Sequence, residues 1–266
     1  MPNISIFCGR PYFSKTKKKM MSLSSLIRGH QIAERLGAKL NPTEGYENDV
    51  CIYVKPGERK FEGIPYIDIV DEEGALIRHP EIPVIACSEF SGKVLSKYPH
   101  KKIVVIPQQH CNFERLKRTR NDITCVGMIG QSGAWPYVPD YIGERLKERG
   151  IELIQYSNFL TRQDIIDYHL KIDVQLMWRP FNLKMGNPLK LVNAMSFGIP
   201  TIALPDDGIG ELDGYYLPAH TPEEVITQLD RLIKEPSLYE EYSLKGIAKA
   251  EEYHIDNICK LYKELT

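Results

Sequence analysis

Three basic residues stand close in the sequence to the predicted start of a short helix. They are Arg179, Lys184 and Lys190, and the start is predicted at Asn187, as the N-cap, and Pro188, in the first turn. The first N–H groups of a helix lack acceptors within the helix, so this end attracts anions, phosphate above all. An arginine fork binds two phosphate oxygens at once, whereas lysine acts as a point charge. The spacing therefore predicts a phosphate-binding site.

The elements that would position this site are a helix and two strands. Gly198 and Pro200 end the helix, Thr201–Leu204 is predicted as a short buried strand, and Val174–Met177 as the strand before the site. The buried stripe of the helix is predicted from the spacing of Leu189, Val192, Ala194, Met195 and Phe197. A helix that follows the carboxyl end of a strand directs its N–H groups at the crevice beside the sheet.

The run PLKLVNAMSFGIPTIALPDDGIGEL, residues 188–212, resembles the donor-binding segment of GT-B glycosyltransferases. The resemblance is to retaining, nucleotide-sugar-dependent members of the group 1/family 4 type. Gly208, Gly210 and Glu211 are similar to the glycine-rich turn with glutamate that follows the strand in that family. The likeness covers most of residues 119–266 and rests on topology over residues 1–118. It implies an α/β fold of two Rossmann-like domains facing across a cleft, with a C-terminal helix crossing back.

The resemblance also implies which residues bind the donor. Glu211 would accept hydrogen bonds from the ribose diol or the sugar, or act only as a cap or surface residue. Met185 and Asn193 stand where many retaining members carry two glutamates, and Lys190 fits a variant that uses lysine instead. Asn193 would contact the donor or face solvent. The predicted donor-binding residues are Gly130, Gln131, Arg179, Lys184, Asn187, Leu189, Lys190, Asn193, Gly210 and Glu211.

Arg10 and His110 are the candidate catalytic residues. Arg10 follows the first predicted strand, and His110 follows a strand near the hinge, where it would act as general base if the reaction inverted the sugar. Arg28 is either a site residue or an exposed helix residue. Trp135 and Trp178 would stack on a base or sugar, or pack in the core. The sequence has no Asp-x-Asp motif, which favours chemistry without a metal or cofactor.

Composition bounds the class of protein. The 266 residues are 42% hydrophobic with a net charge of −1, which suits one or two domains and excludes a generic nucleic-acid binder. Residues 1–118 hold 19 Lys+Arg against 13 Asp+Glu, and the remainder 15 against 22. Six scattered cysteines and an N-terminus unlike a signal peptide predict a cytoplasmic protein. The basic run 15–19 is either a solvated loop or, as Lys15–Lys19, a peripheral membrane contact.

Apolar runs alternate with helical patterns along the chain, which predicts parallel α/β layers. We place an acceptor-side domain at 1–118 and a donor domain at 119–266, with the final helix, about 251–265, packing on the first. Predicted strands are Ile4–Cys8, Val50–Val54, Tyr66–Val70, Pro83–Cys87, Ile103–Ile106, Thr124–Ile129 and Glu152–Gln155. Predicted helices are Ser24–Leu36, one after Cys87 through Lys97, Tyr137–Arg149, Ser237–Lys249 and Glu251–Leu265. Thr161–His169 is either a helix or a turn segment, and Thr221–Leu232 resembles a late helix of the same family.

These observations predict a glycosyltransferase that moves a sugar from a nucleoside-diphosphate sugar to a hydroxyl, without a metal and, by resemblance, with retention. The acceptor would be a glycan, a lipid-linked molecule or a small molecule. The alternative is a catalytically silent sugar-nucleotide-binding or scaffold subunit with the same fold, which the missing glutamate pair favours. A sugar-nucleotide epimerase would need an acid/base set that we do not find in the sequence.

Overall fold

The structure is a computed structural model, and its contacts divide the chain into two compact units. The first unit comprises Met1–Gln109, Leu183–Asn187 and Ile255–Thr266, and the second His110–Asn182 and Pro188–His254. The predicted limits of 1–118 and 119–266 remain a sequence-based interpretation. The residues that the structure describes are 3–14, 19–20, 22–71, 73–119, 122–180 and 185–266, with the backbone alone at 19–20.

The first unit contains a parallel sheet, in the order β4-β1-β5-β6-β7-β8, and a separate antiparallel pair, β2-β3. Its strands are β1 (Ile4–Cys8), β2 (Phe13–Ser14), β3 (Lys19–Met20), β4 (Lys39–Leu40), β5 (Val50–Val54), β6 (Ile64–Ile69), β7 (Val84–Ala86) and β8 (Ile103–Val105). Every residue of β1 and β5 is buried, as expected for strands covered on both faces.

Helices flank this sheet along the chain. A π-helical segment, Ser25–Gln31, continues as α1 (Ile32–Leu36), and α2 (Gly74–Arg78) and α3 (Glu89–Leu95) follow. The predicted helix Ser24–Leu36 therefore has the right extent but different hydrogen bonding over its first half. Ser88 caps α3 through a reciprocal pair of hydrogen bonds with Ser91.

The second unit has a parallel sheet in the order β10-β9-β11-β12-β13. Its strands are β9 (Cys125–Ile129), β10 (Glu152–Tyr156), β11 (Val174–Met177), β12 (Thr201–Ala203) and β13 (Leu217–Pro218). The strand order reverses between β9 and β11, which is the topological switch point where open α/β sheets bind ligands.

The second unit's helices lie between these strands or after the last of them along the chain. They are α4 (Asp140–Glu148), α5 (Arg162–Lys171), α6 (Leu189–Ser196), α7 (Pro222–Lys234) and α8 (Pro236–Ala250), with 3₁₀ segments at Ser132–Tyr137, Asp207–Leu212 and Glu251–Tyr253. The predicted helix Tyr137–Arg149 begins three residues later, because Pro139 stands in the N-cap position of α4.

The last helix, α9 (Ile255–Lys263), belongs to the first unit. Its Tyr262 hydroxyl donates to Asp68 Oδ2 at 3.1 Å, and Arg28 Nε donates to the same oxygen at 2.9 Å. Arg28 is fully buried and also donates to the carbonyl of Ile106, so the expectation of an exposed helix residue is wrong. The predicted α/β class and the return of the final helix are confirmed. Over the described ranges, no helix is long and apolar enough to cross a membrane.

Candidate functional site

The switch point of the second unit is surrounded by charged residues from separate segments. Gly130 directly follows β9, Arg179 follows β11 by two residues, and Asp206 follows β12 by three. Lys190 is the second residue of α6. Because the carboxyl ends of parallel strands share one edge of the sheet, these residues lie at the same edge. We call Gly130, Arg179, Lys190 and Asp206 the switch-point cluster.

The amine of Lys190 lies over the backbone of Gly130. A Cβ added at Gly130 would stand 2.6 Å from Lys190 Nζ, so glycine is required for this approach. Gly130 also has a φ of +155°, which other residues rarely adopt. Burial and the neighbouring Arg179 lower the pKa of Lys190, while Asp206 opposes them. Among the described residues, no hydrogen bond or ion pair engages this amine, so its charge can be neutralised by a bound anion.

Arg179 and Asp206 form the second part of the cluster. Arg179 Nη2 pairs with Asp206 Oδ2, and both side chains are largely buried. Arg179 Nε is buried without an acceptor in the described part of the chain, which costs free energy unless a ligand supplies one. The cluster therefore holds two cations against one carboxylate, a net charge of +1 in a partly desolvated place, where electrostatic attraction to an anion is stronger than in water.

The start of α6 differs by one position from the sequence-based prediction. Pro188, not Asn187, occupies the N-cap position. Asn187 precedes the N-cap residue, so the prediction that it is the N-cap is wrong. Leu189 opens the helix and is partly buried. The N–H groups in the first turn of a helix favour an anion beside them.

Asp206 also organises the glycine-rich turn. Its Oδ1 accepts the Gly208 N–H at 2.8 Å and so caps the 3₁₀ segment Asp207–Leu212, which carries the predicted donor residues Gly210 and Glu211. A Cβ added at Gly210 would meet no described heavy atom within 4 Å. Glu211 is half-buried, and its Oε1 accepts the hydroxyl of Tyr253 at 2.9 Å. The turn is therefore linked to Arg179 through a single carboxylate.

Asn193 has a structural partner. It is 6% exposed, and its Oδ1 accepts the backbone N–H of Cys111 at 2.8 Å. The alternative that it faces solvent is wrong. Met185, in the other position where many retaining members carry glutamate, is buried among the apolar residues of the first unit. Neither residue supplies the carboxylate typical of that family.

His110 is buried in surroundings that do not suit a general base. Its Nδ1 accepts the N–H of Asn112 at 3.1 Å, and its ring packs edge-on against His254. Burial, helped by the nearby His254, lowers the pKa of His110 to about 3. A base with this pKa has little driving force to take a proton at neutral pH.

The remaining predicted residues are placed as follows. Arg10 is exposed after β1 in the first unit, and Gln131 is exposed after Gly130. Lys184 lies outside the described residues, as does the Lys15–Thr16–Lys17–Lys18 part of the proposed membrane contact. Trp178 is 7% exposed in the core of the second unit, which favours packing over stacking on a ligand.

The structure thus brings Gly130, Arg179 and Lys190 together and adds two residues that the sequence reading missed. Asp206 could have been found as a capping residue two residues after a predicted strand. Tyr253 could not, because it lies 42 residues from Glu211. Within the described segments, no group of three or more His, Cys, Asp or Glu side chains could hold a metal ion.

Comparisons with known proteins give a relative in sequence and several in fold. No protein-family model matches the sequence. Over 128 residues, 45% of the chain, it is 27% identical to an uncharacterized glycosyltransferase of Haemophilus influenzae. That match spans 36% of the relative's length, about a third.

Solved structures resemble the chain over almost its whole length. A glycosyltransferase from Rickettsia africae matches 99% of the chain and 97% of its own, with a TM-score of 0.69 at 10% identity. Anabaena HepE, solved in complex with UDP and glucose, matches 98% of each chain with a TM-score of 0.67 at 12% identity. The match to a glycosylation associate protein complex from Streptococcus agalactiae covers 92% of the chain and 58% of the matched chain, with a TM-score of 0.56 at 10% identity.

These likenesses confirm the predicted fold class, an α/β fold of the GT-B type with two Rossmann-like sheets. In sequence over part of its length and in fold over nearly all of it, the chain is similar to glycosyltransferases.

Proposed function

We propose that the protein transfers a glycosyl group from a nucleoside-diphosphate sugar to a hydroxyl acceptor. The observation that carries this proposal is the switch-point cluster, where Lys190 and Arg179 surround Gly130 near the start of α6. The similarity to glycosyltransferases supports the same reaction class. Anabaena HepE was solved with UDP and glucose, which makes a uridine donor the first to test.

The chemistry expected of this site is electrostatic. When the bond between the sugar and the diphosphate breaks, negative charge develops on the departing diphosphate. Lys190, Arg179 and the first N–H groups of α6 would stabilise that charge in a site prepared before the reaction begins. Two fixed cations would take the place of a metal ion, and we propose a metal-independent reaction for this reason. Retention remains a proposal from the resemblance alone.

The acceptor and the cellular location belong to the same proposal. We propose a glycan, lipid-linked or small-molecule acceptor and a cytoplasmic protein. The basic run Lys15–Lys19 would supply any peripheral contact with an anionic membrane. Vesicles with and without anionic lipid, sedimented with the protein, test that contact directly.

The experiment on the donor site measures nucleotide affinity. UDP, GDP and ADP are titrated into the protein and into the Lys190→Ala and Arg179→Ala variants. Loss of a charged hydrogen-bond donor should weaken binding of the preferred nucleotide about 10- to 100-fold. Lys147→Ala, which removes an exposed lysine of α4, is the control and should bind as the unsubstituted protein does. If neither cluster variant weakens binding of any nucleotide, the site has been misplaced.

A second candidate function is a catalytically silent sugar-nucleotide-binding or scaffold subunit. It is favoured by the absence of the usual carboxylates, since Met185 is buried in a core and Asn193 is held by Cys111. The likeness in fold to a glycosylation associate protein complex fits this alternative as well. Donor turnover separates the two functions. Tight nucleotide binding with neither transfer nor slow donor hydrolysis, over a broad acceptor panel, would favour the silent subunit.

A further inference from the structure

Tyr253 holds the carboxylate of Glu211 from outside the glycine-rich turn. Its hydroxyl lies 2.9 Å from Glu211 Oε1, and the residue is 6% exposed. We propose that Tyr253 is a positioning residue that fixes Glu211 to receive a hydroxyl-bearing part of the donor. This inference rests on the proposed function, because it assumes that a nucleoside-diphosphate sugar binds at the switch-point cluster.

The phenol ring is fixed by packing. Tyr253 ends the 3₁₀ segment Glu251–Tyr253 and belongs to one buried cluster with Ile209 and Leu212. Ile209 and Leu212 lie on either side of Glu211 in the sequence, in the segment capped by Asp206. Apolar contacts of Ile209 and Leu212 therefore fix the backbone of the turn, and the Tyr253 hydroxyl donates a hydrogen bond to the Glu211 side chain.

The hydroxyl is placed to orient the carboxylate rather than to replace it. A tyrosine O–H donates to an ionised carboxylate in a strong, directional hydrogen bond. An ionised carboxylate accepts several hydrogen bonds, so this contact is compatible with accepting a ligand hydroxyl as well. Without the tyrosine hydroxyl, Glu211 would lose a hydrogen bond that orients it, and ordering it on binding would cost more conformational entropy.

Charge decides which part of the donor Glu211 would receive. A carboxylate repels phosphate, whereas Arg179 and Lys190 attract it. Asp206 joins the two regions, because it pairs with Arg179 and caps the segment that carries Glu211. The diphosphate would therefore lie on the cations, and the Glu211 side chain would meet a diol. That diol is either on the ribose or on the transferred sugar.

The test compares three probes that differ in their hydroxyl groups. Inorganic diphosphate carries none on carbon, UDP adds the ribose, and UDP-glucose adds the ribose and a hexose. Affinities are measured by calorimetry, directly or by displacement, for the unsubstituted protein and for Tyr253→Phe. We expect an unchanged affinity for diphosphate and a loss of about tenfold for UDP-glucose. A loss for UDP as well identifies the ribose, and an unchanged affinity for UDP identifies the sugar.

The chain offers a matched control in Tyr46. Its hydroxyl donates to Glu62 Oε2 at 2.9 Å, and both residues belong to the first unit. Tyr46→Phe therefore removes a tyrosine–carboxylate hydrogen bond of the same kind away from the switch-point cluster, and it should bind all three probes as the unsubstituted protein does. In a Glu211→Ala background, Tyr253→Phe should have no further effect, since the two residues act through one contact.

Two outcomes would overturn the inference. One is that Tyr253→Phe leaves all three affinities unchanged, and the other is that it lowers all three by the same factor, as a merely structural role would. Failure of the proposed function looks different, because Lys190→Ala would then bind every probe as tightly as the unsubstituted protein. If the unsubstituted protein binds none of the three, both proposals are wrong.

Discussion

Lys190 is the residue on which the proposed site depends most, and its environment predicts a pH dependence. Burial and Arg179 lower its pKa below that of an ordinary lysine, 10.5. Only the ammonium form attracts phosphate, and a bound anion raises its pKa again. Affinity for UDP should therefore be constant near neutral pH and fall with rising pH once the lowered pKa is passed, by at most about tenfold per unit.

Titration of UDP between pH 7.5 and 10 measures this dependence. Lys190→Arg provides the comparison, because a guanidinium stays charged over the whole range. The variant should bind with an affinity that changes little with pH, even if its geometry makes binding weaker overall. An identical alkaline decline in the two proteins would mean that another group, not Lys190, is responsible.

At the scale of one element, we expect alanine substitutions at two glycines of the loop after β9 to have different effects on UDP affinity. Gly130→Ala would place a Cβ 2.6 Å from Lys190 Nζ and strain a backbone with φ of +155°. The amine is the far end of a flexible chain, so it would move away and lose its place over the loop. We expect UDP affinity to fall about tenfold or more, with some loss of stability.

Gly133, three residues later, is the matched control for Gly130. A Cβ added there would meet no atom of the described residues within 4 Å, and the residue has no positive φ. Gly133→Ala should leave the affinity and the melting temperature close to those of the unsubstituted protein. Equal effects of the two alanines on UDP affinity would argue that the loop, not the contact with Lys190, matters.

For individual strands and helices, the sequence predicts some limits and misses others. Ile4–Cys8, Val50–Val54 and Val174–Met177 are found as strands with the predicted limits, because continuous short apolar runs are typical of buried parallel strands. The π-helical hydrogen bonding of Ser25–Gln31 was not predicted, since apolar spacing does not fix which carbonyl each N–H meets. The two-residue strands β4 and β13 are too short to give a pattern.

At the scale of the whole chain, the sequence does not predict the surroundings of a side chain whose partner lies far away along the chain. Arg28 was expected at a surface or site, yet it is buried against Asp68, 40 residues away, and the Tyr262 hydroxyl reaches the same carboxylate. Asn193 likewise meets Cys111, 82 residues earlier. The motif around residues 188–212 leads to a prediction of local chemistry because its residues are close in sequence. The contacts that orient it, such as Tyr253 with Glu211, come from segments that no local pattern connects.

The stability of the second unit should depend on two buried histidines. Burial lowers the pKa of His110 to about 3 and that of His169 to about 4, against an unfolded value near 6.5. Below pH 6.5 the unfolded chain binds more protons than the folded one, so stability is full above this pH and is lost as pH falls towards the folded values. Each histidine should contribute a slope of about 1.4 kcal/mol per pH unit in this window.

Denaturation with urea at pH 7.5, 6 and 5 measures the slope. His169 stacks on Phe197 with 5.1 Å between the ring centroids, and its Nδ1 donates a hydrogen bond to the Ile165 carbonyl. His169→Gln therefore keeps a side-chain hydrogen-bond donor at this position and removes the titratable imidazole. The variant should be less stable at pH 7.5, yet its free energy of unfolding should fall between pH 6 and 5 about half as steeply, since only His110 of the pair remains. An unchanged slope in this variant would mean that His169 is not kept neutral by the fold, and the acid sensitivity would then have to come from other groups of the chain.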